Sequence, residues 1–157
     1  NDGILMKPYI VQEIVNQNDH PVKRFKPQEI RRAISARTAI IVKNILKTVI
    51  TEGGTGVNAA LDGYSVGGKT GTSRKLDENG QYSVNSHTAS FIGFTPADNP
   101  EIAVIVVIDE PKGKYYGGIV AAPVFKQIAQ QTLNYLNVPP DGGTTKFRVS
   151  LDSEAQG

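Results

Sequence analysis

A lysine and two threonines lie close together in the chain, and their side chains could bind an anion. Residues 69–72 read Lys-Thr-Gly-Thr, so the two hydroxyl groups are two positions apart. On a β-strand, residues two apart project from the same face, and both hydroxyls could bind one carboxylate. Gly71 between them has no side chain, which would let a substrate backbone lie alongside the strand.

The same residues also fit a phosphate-binding loop, which is the main alternative. Residues 63–70 read Gly-x-x-x-x-Gly-Lys-Thr, and Asp109-Glu110 follows an apolar run, as magnesium-binding acids do in nucleotide hydrolases. A phosphate loop needs a strand before Gly63 and a helix that begins at Lys69. The flanking residues have neither a strand pattern before nor a helical period after, so the sequence favours a strand through Lys69.

The composition indicates one globular domain. The 157 residues are 39% hydrophobic and 20% charged, with 17 basic and 15 acidic residues. The basic groups are short and scattered, which argues against nucleic acid as a partner. The longest apolar run, residues 102–108, is far shorter than the roughly 20 residues that span a bilayer. The absence of cysteine excludes disulfides, thiolate catalysis and cysteine-bound zinc.

The first half of the chain predicts a hairpin followed by a helix. Residues 8–14 and 22–25 are rich in apolar strand formers and are separated by turn residues. From Thr38 onward, apolar residues recur with a helical period, which indicates an amphipathic helix. Ser35 is its predicted N-cap, and Gly53 follows its end.

The second half predicts a strand pair and a covering helix. Residues 88–94 and 102–108 are apolar runs separated by turn residues, so they should pair antiparallel. Because residues 102–108 are apolar at both alternating positions, we expect a central strand that is covered on both sides. Residues 73–86 are expected to be a polar loop, and residues 141–157 a flexible tail.

One covering helix is expected over residues 120–136. Pro123 suits its first turn. Its predicted apolar face consists of Phe125, Ile128, Thr132 and Leu136, with contributions from Ala129 and Leu133.

The Lys-Thr-Gly tripeptide is one of three motifs of serine-based penicillin-recognising enzymes, and its neighbours extend that pattern. Segments similar to those of class B penicillin-binding proteins occur in the expected order: Met-Lys-Pro-Tyr-Ile-Val (6–11), Ile-Ser-x-Arg-Thr-Ala (34–39), Gly-Gly-Thr-Gly (53–56), Gly-Tyr-Ser-Val-Gly-Gly-Lys-Thr-Gly-Thr-Ser (63–73), Ala-Ser-Phe-Ile-Gly-Phe (89–94), Asp-Glu-Pro (109–111), Tyr-Tyr-Gly-Gly (115–118) and Ala-Ala-Pro-Val-Phe (121–125). Over residues 1–140 the chain therefore resembles the monofunctional peptidoglycan transpeptidases.

The resemblance implies an α/β (α+β) fold, with a mainly antiparallel sheet flanked by helices, as the C-terminal part of a penicillin-binding/serine β-lactamase-like transpeptidase fold. It implies acylation of a serine by the D-Ala-D-Ala end of a peptidoglycan stem peptide, transfer to an amine, and trapping by β-lactams. No cofactor or metal is implied. The expected location is the periplasmic side of the cytoplasmic membrane, with an N-terminal anchor outside this chain. The expected process is cell-wall synthesis in division or elongation.

The resemblance also implies roles for the residues of the Lys-Thr-Gly-Thr segment. Lys69 would stabilise negative charge and assist proton transfer near the nucleophile. Thr70, Gly71 and Thr72 would bind the substrate, and the backbone N–H of Thr72 would complete an oxyanion hole.

Three ring-bearing residues are further candidates. Tyr115 and Tyr116 match an aromatic pair that flanks the cleft in relatives, with ordinary packing as the alternative. His87 would stand beside the lysine strand and face the cleft, although a plain hydrogen-bonded histidine is the interpretation that the sequence favours.

The chain departs from the family pattern at the nucleophile. Ser-x-x-Lys occurs nowhere, and the Ser-x-Asn at residues 83–85 follows Lys-Thr-Gly, whereas the family places that motif before it. We therefore expect the chain to be inactive alone, and the missing N-terminal part of the same domain to supply nucleophile, base and helical cover. The apolar surface left open predicts a dimer, a swapped assembly or a retained partner chain. A non-catalytic peptidoglycan-binding module of the same ancestry remains an alternative.

Overall fold

The computed structural model describes residues 1–142, which fall into two compact units that divide between Val42 and Lys43. Each unit is antiparallel in its strand pairing. Residues 143–157, which include most of the expected flexible tail, lie outside the described part.

The first unit consists of two small antiparallel pairs. Strand β1 (Ile4–Met6) pairs with β4 (Glu29–Arg32), and β2 (Glu13–Val15) pairs with β3 (Pro21–Arg24). The β2–β3 turn forms because the Asn16 side chain accepts hydrogen bonds from the backbone N–H groups of residues 18 and 20. The predicted hairpin is confirmed, but its first strand is shorter than expected, since residues 8–12 are not in a strand.

Helix α1 (Ala36–Thr48) begins where the sequence predicts it. The hydroxyl of Ser35 accepts a hydrogen bond from the backbone N–H of Thr38 at 3.0 Å, which confirms the N-cap. Near the end of the helix the Lys47 ammonium forms an ion pair with Asp98 at 2.9 Å. No residue of this helix is buried within the described part of the chain.

The second unit contains a three-stranded sheet of order β5-β6-β7, with β5 at Gly67–Leu76, β6 at Tyr82–Thr95 and β7 at Ile102–Asp109. The antiparallel pairing of the two apolar runs is confirmed. The prediction of a polar loop over residues 73–86 is wrong, because β5 and β6 extend through most of it. Only residues 77–81 form a turn, in which the Asp77 carboxylate accepts hydrogen bonds from the backbone N–H groups of residues 79 and 81.

Strand β7 is an edge strand within residues 1–142, so the prediction of a central strand covered on both sides is wrong for the described chain. Side chains alternate between the two faces of a strand, and only one face is covered. Val106 is buried on that face. On the opposite face Ile105 is 64% exposed, Val107 57% and Ile92 of β6 53%.

The covering helix is α3 (Ala122–Tyr135), which follows a short helix α2 (Gly117–Val120). Its buried residues are Ala122, Phe125, Ala129 and Leu133. The predicted face was therefore wrong in part, since Ile128 and Leu136 are exposed. Two alanines on the buried stripe let α3 lie close to the sheet, where the Phe125 and Phe91 rings meet with centroids 4.8 Å apart. The architecture agrees with the expected α+β class.

Candidate active site

Lys69 lies in the interior of strand β5, opposite Ile92 of β6. A phosphate loop would need a helix that begins at this lysine, because the backbone N–H groups at a helix N-terminus bind the phosphates. Strand hydrogen bonding from Gly67 to Leu76 excludes that geometry. The phosphate-loop alternative is wrong.

The Lys69 ammonium bends back towards its own strand. It donates hydrogen bonds of 3.1 Å to both the carbonyl oxygen and the hydroxyl of Thr70. Within residues 1–142 it forms no ion pair, whereas Lys47 and Lys75 each pair with carboxylates. An exposed cation without an anionic partner is available to a negatively charged ligand.

The hydroxyls of Thr70 and Thr72 belong to one face of β5, as their spacing predicts. Thr70 stands opposite Phe91 and Thr72 opposite Ala89. The Thr70 hydroxyl is 3.1 Å from the hydroxyl of Thr55, which belongs to the glycine-rich segment of residues 53–56. The Thr72 hydroxyl accepts a hydrogen bond of 3.1 Å from the backbone N–H of Gly117.

The Tyr-Tyr-Gly-Gly segment, residues 115–118, approaches the sheet so closely that only glycine fits at its third position. A Cβ atom on Gly117 would lie 2.2 Å from the carbonyl oxygen of Ser90 and 2.5 Å from that of Gly71. Both neighbours are backbone atoms of hydrogen-bonded strands, so they cannot rotate away. The segment is thereby held against the strand that carries Lys69.

The rings of His87, Tyr115 and Tyr116 pack in a row beside this strand, and we name them the ring stack. The His87 and Tyr115 rings are parallel to within 14°, with centroids 4.0 Å apart, and the Tyr115 and Tyr116 centroids are 4.6 Å apart. A hydrogen bond to the Tyr116 hydroxyl raises the pKa of Tyr115, and the nearby positive charge of Arg74 opposes that rise. The structure thus brings together all three candidate ring residues, and Tyr116 is 59% exposed.

A cavity of about 290 Å³ adjoins the ring stack. It is polar and is lined by Val84, Asn85, Ser86, His87, Glu110, Pro111, Lys112, Gly113 and Tyr115. Ser83 is the serine of the Ser-x-Asn tripeptide at residues 83–85. Its hydroxyl accepts hydrogen bonds from the backbone N–H groups of residues 85 and 86 and thereby stabilises a local turn.

Lys75 links β5 to the end of β7 across the intervening strand. Its ammonium contacts Asp109 at 2.9 Å and Glu110 at 3.0 Å. The hydrogen bond to Asp109 raises the pKa of Lys75, and the bond from Lys75 lowers the pKa of Asp109. Thr88 also contacts Asp109, at 3.2 Å. We name Lys75, Asp109 and Glu110 the β5–β7 clamp.

The β5–β7 clamp should contribute modestly to stability across a wide pH range. The lowered pKa of Asp109 favours folding above its ordinary value of 3.8, and this contribution is lost as the pH falls through the lowered value. The raised pKa of Lys75 favours folding below 10.5, and this contribution is lost as the pH rises through the raised value. We expect Lys75→Met to lower the thermal midpoint near neutral pH at low ionic strength, and less at high ionic strength, because the pair is exposed. A loss that salt does not change would contradict an electrostatic clamp.

Sequence reasoning missed several residues that the structure brings to this strand. Thr55, Gly117, Arg74 and Lys75 carried no assigned role, although Thr55 and Gly117 stand in segments that the sequence singled out. Their contacts join residues far apart in the chain, and periodicity reports only near neighbours. No cluster of three or more His, Cys, Asp or Glu residues able to hold a metal ion occurs within residues 1–142.

Residues 1–130 match the protein-family model described as the penicillin-binding protein transpeptidase domain. The chain belongs to this family. The family expected from the residues is therefore confirmed, together with its mixed architecture of antiparallel sheets and helices.

Curated relatives of this transpeptidase domain are similar over most of the chain. A probable peptidoglycan D,D-transpeptidase PenA of Neisseria flavescens is 51% identical over 111 residues, which is 70% of this chain and 28% of that protein. The stage V sporulation protein D of Bacillus subtilis is 43% identical over 142 residues, 89% of this chain and 22% of that protein. The chain thus spans about a quarter of the length of these relatives.

Solved structures agree with this transpeptidase fold. Penicillin-binding protein 3 of Mycobacterium tuberculosis, complexed with ampicillin, has a TM-score of 0.78 and 32% sequence identity, with 89% of this chain and 33% of that chain covered. The transpeptidase domain of penicillin-binding protein 3 from Burkholderia pseudomallei has a TM-score of 0.68 and 39% identity, with 89% and 40% covered. Within residues 1–142, no helix is long and apolar enough to cross a membrane.

Proposed function

We propose that this chain is part of a peptidoglycan D,D-transpeptidase that cross-links stem peptides through a serine acyl-enzyme and that binds β-lactams. The observation that carries the proposal is the match of residues 1–130 to the transpeptidase family, together with an exposed Lys69 that, within residues 1–142, lies on an edge strand and forms no ion pair. Residues 1–140 form the C-terminal segment of the domain, and the nucleophile comes from another part of the protein, since no Ser-x-x-Lys occurs here.

The proposed reaction has two steps. The serine hydroxyl attacks the carbonyl carbon of the penultimate D-alanine, the peptide C–N bond breaks, and the terminal D-alanine leaves with a proton on its amine. An amine of a neighbouring stem peptide then attacks the ester, which forms a new amide bond and returns the proton to the serine. A β-lactam acylates the serine as the stem peptide does in the first step, and the resulting acyl group remains attached to the serine.

In this scheme β5 binds the end of the stem peptide. The Lys69 ammonium stabilises the negative charge near the nucleophile and assists proton transfer, and the hydroxyls of Thr70 and Thr72 bind the terminal carboxylate. Gly71 leaves room for the peptide backbone. The backbone N–H of Thr72 donates to the oxyanion; removal of one such donor typically costs about 100- to 1,000-fold in rate.

The ring stack lines the same cleft. Tyr115 and Tyr116 present aromatic faces to ligand side groups, and His87 supports Tyr115 by stacking. The adjoining cavity gives the stem peptide or a β-lactam substituent space beyond the rings. The protein acts on the periplasmic side of the membrane, in cell-wall synthesis during division or elongation.

Labelling with a fluorescent penicillin tests the proposal. We expect a covalent band on the full-length protein, abolished by heat denaturation or by ampicillin added first, and no band on the 157-residue chain. Circular dichroism of the short chain establishes that it is folded in the assay. A band on the short chain would contradict the missing nucleophile, and an unlabelled, folded full-length protein would favour a non-catalytic peptidoglycan-binding module.

A further inference from the structure

Thr55 contacts one of the two hydroxyls that we assign to the carboxylate of the ligand. The distance between the hydroxyl oxygens of Thr55 and Thr70 is 3.1 Å, with Thr70 as the donor. Thr55 lies 15 positions before Thr70 in sequence and outside the sheet, so strand pairing does not require the contact.

The segment around Thr55 is fixed on both sides. The backbone N–H of Gly56 donates to the carbonyl of Val49 at 2.9 Å, just beyond the end of α1. A Cβ atom on Gly118 would lie 2.1 Å from the carbonyl oxygen of Thr55, so the Tyr-Tyr-Gly-Gly segment is packed directly on it. The Asn58 side chain also donates to the carbonyl of Gly118 at 2.8 Å. The Thr55 hydroxyl is therefore held at a defined position beside β5.

A hydroxyl group has one proton to donate and two lone pairs that accept. At Thr72 one lone pair accepts the N–H of Gly117, which leaves the proton for a ligand oxygen. At Thr70 one lone pair accepts a hydrogen bond from the Lys69 ammonium. Within residues 1–142 the other hydrogen-bond partner of the Thr70 hydroxyl is Thr55. If Thr55 becomes the donor, both lone pairs of Thr70 are occupied and its proton must go to the ligand.

We propose that Thr55 is a positioning residue that acts through Thr70 in the recognition of the substrate carboxylate. In the structure, Thr70 donates to Thr55. When a carboxylate binds, the hydroxyl pair reverses: Thr55 donates to Thr70, and Thr70 donates to the carboxylate. Such a chain strengthens each bond in it and selects an anion over a neutral group. The inference rests on the proposed function and adds to the same site a residue that positions one of its ligand-binding hydroxyls.

Acylation kinetics of the full-length protein test this role. Thr55→Val removes the hydroxyl and keeps a similar shape. For benzylpenicillin we expect the dissociation constant of the complex that precedes acylation to rise about 2- to 10-fold, as for one lost hydrogen bond. The first-order acylation constant should not change, because the role proposed for Thr55 is in binding the carboxylate and not in the bond-forming step. Thr55→Ser should restore wild-type binding.

A neutral ligand separates carboxylate recognition from general damage. The methyl ester of benzylpenicillin lacks the charged carboxylate, so the Thr55→Val variant should bind the ester as tightly as the wild-type protein does. If Thr55→Val misfolds, the pair Thr55→Ser and Thr55→Ala isolates the hydroxyl, since both lose the methyl group. Thr132→Val is the matched control, because within the described chain the Thr132 hydroxyl bonds only to the Ile128 carbonyl of its own helix.

Three results would overturn the inference. Thr55→Val could bind benzylpenicillin as tightly as wild type or more tightly, it could lose equal affinity for the acid and the ester, or Thr55→Ser could fail to restore binding. Each of these results requires a wild-type protein that reacts with penicillin, so each leaves the proposed function standing. A wild-type protein that penicillin does not acylate contradicts the proposed function itself.

Discussion

Replacing Lys69 by methionine should reduce the acylation of the full-length protein by benzylpenicillin about 100- to 10,000-fold, the range for loss of a group that assists proton transfer. The ammonium is exposed and has no carboxylate partner in residues 1–142, so its removal leaves no buried charge unpaired. The thermal midpoint should therefore stay near that of the wild type. Stopped-flow acylation and a thermal melt measure the two quantities.

Lys126→Met is the matched control for this experiment. Lys126 lies on helix α3, has no assigned role in the candidate site, and forms no ion pair within the described residues. We expect it to acylate as the wild type does. Lys69→Arg should not restore activity, because the broad planar guanidinium does not replace a compact ammonium. Unchanged acylation in Lys69→Met would remove Lys69 from the site.

Replacing Gly117 by alanine should have the second largest effect. The added Cβ would overlap two carbonyl oxygens of the sheet, at 2.2 and 2.5 Å, so the segment must move outward. Such overpacking costs about 1–3 kcal/mol in the free energy of unfolding. The displacement also takes the N–H of Gly117 away from the Thr72 hydroxyl and shifts Tyr115 and Tyr116. A displacement of about 1 Å near a reacting group can cost about 100-fold in rate.

Gly80→Ala is the control for the loss of a glycine as such. Gly80 lies in the β5–β6 turn with a φ of +75° and no atom within 4 Å of an added Cβ, so only backbone strain is introduced. It should lower the thermal midpoint slightly and leave acylation unchanged. If Gly117→Ala retains both full acylation and the wild-type midpoint, the close approach at Gly117 does not hold the segment.

The sequence predicted the secondary structure where local signals are strong. Ser35, the helical period after it and the turn residues between β6 and β7 act within a few positions, so they could be recognised without the fold. The long β5–β6 hairpin was missed because residues 73–86 are polar. A hairpin with solvent on its faces needs no apolar alternation, and its turn depends on the single side chain of Asp77.

The burial of each element could not be predicted in the same way. The apolar run of β7 is typical of a strand covered on two sides, but its outer face stays exposed within the described chain, as the 64% exposure of Ile105 indicates. On α3, two apolar stripes were compatible with the helical period. Packing selected the one with Ala129, since a small residue lets the helix approach Phe91.

The candidate site was recognised through motif order rather than through geometry. Lys69 and the two threonines were recognised because the Lys-Thr-Gly-Thr segment is flanked by other segments similar to those of the family, in the same order. Their roles remain proposals. Thr55 and Gly117 were found only in the structure, since each is defined by a contact with a residue distant in sequence. Motif spelling identifies the residues that meet a ligand more readily than those that hold them in place.

The β5–β6 hairpin extends beyond the end of β7 as a two-stranded arm. Residues 88–94 of β6 pair with both β5 and β7, whereas Tyr82, near the tip of the hairpin, pairs only with Leu76 of β5. Local opening costs least where a strand has fewest neighbours, so this two-stranded arm opens more readily than the sheet behind it. His87 stands at its base and stacks on Tyr115. Opening of the arm would therefore loosen the His87–Tyr115 contact before the sheet itself opens, and the ion pairs of Lys75 with Asp109 and Glu110 oppose that opening.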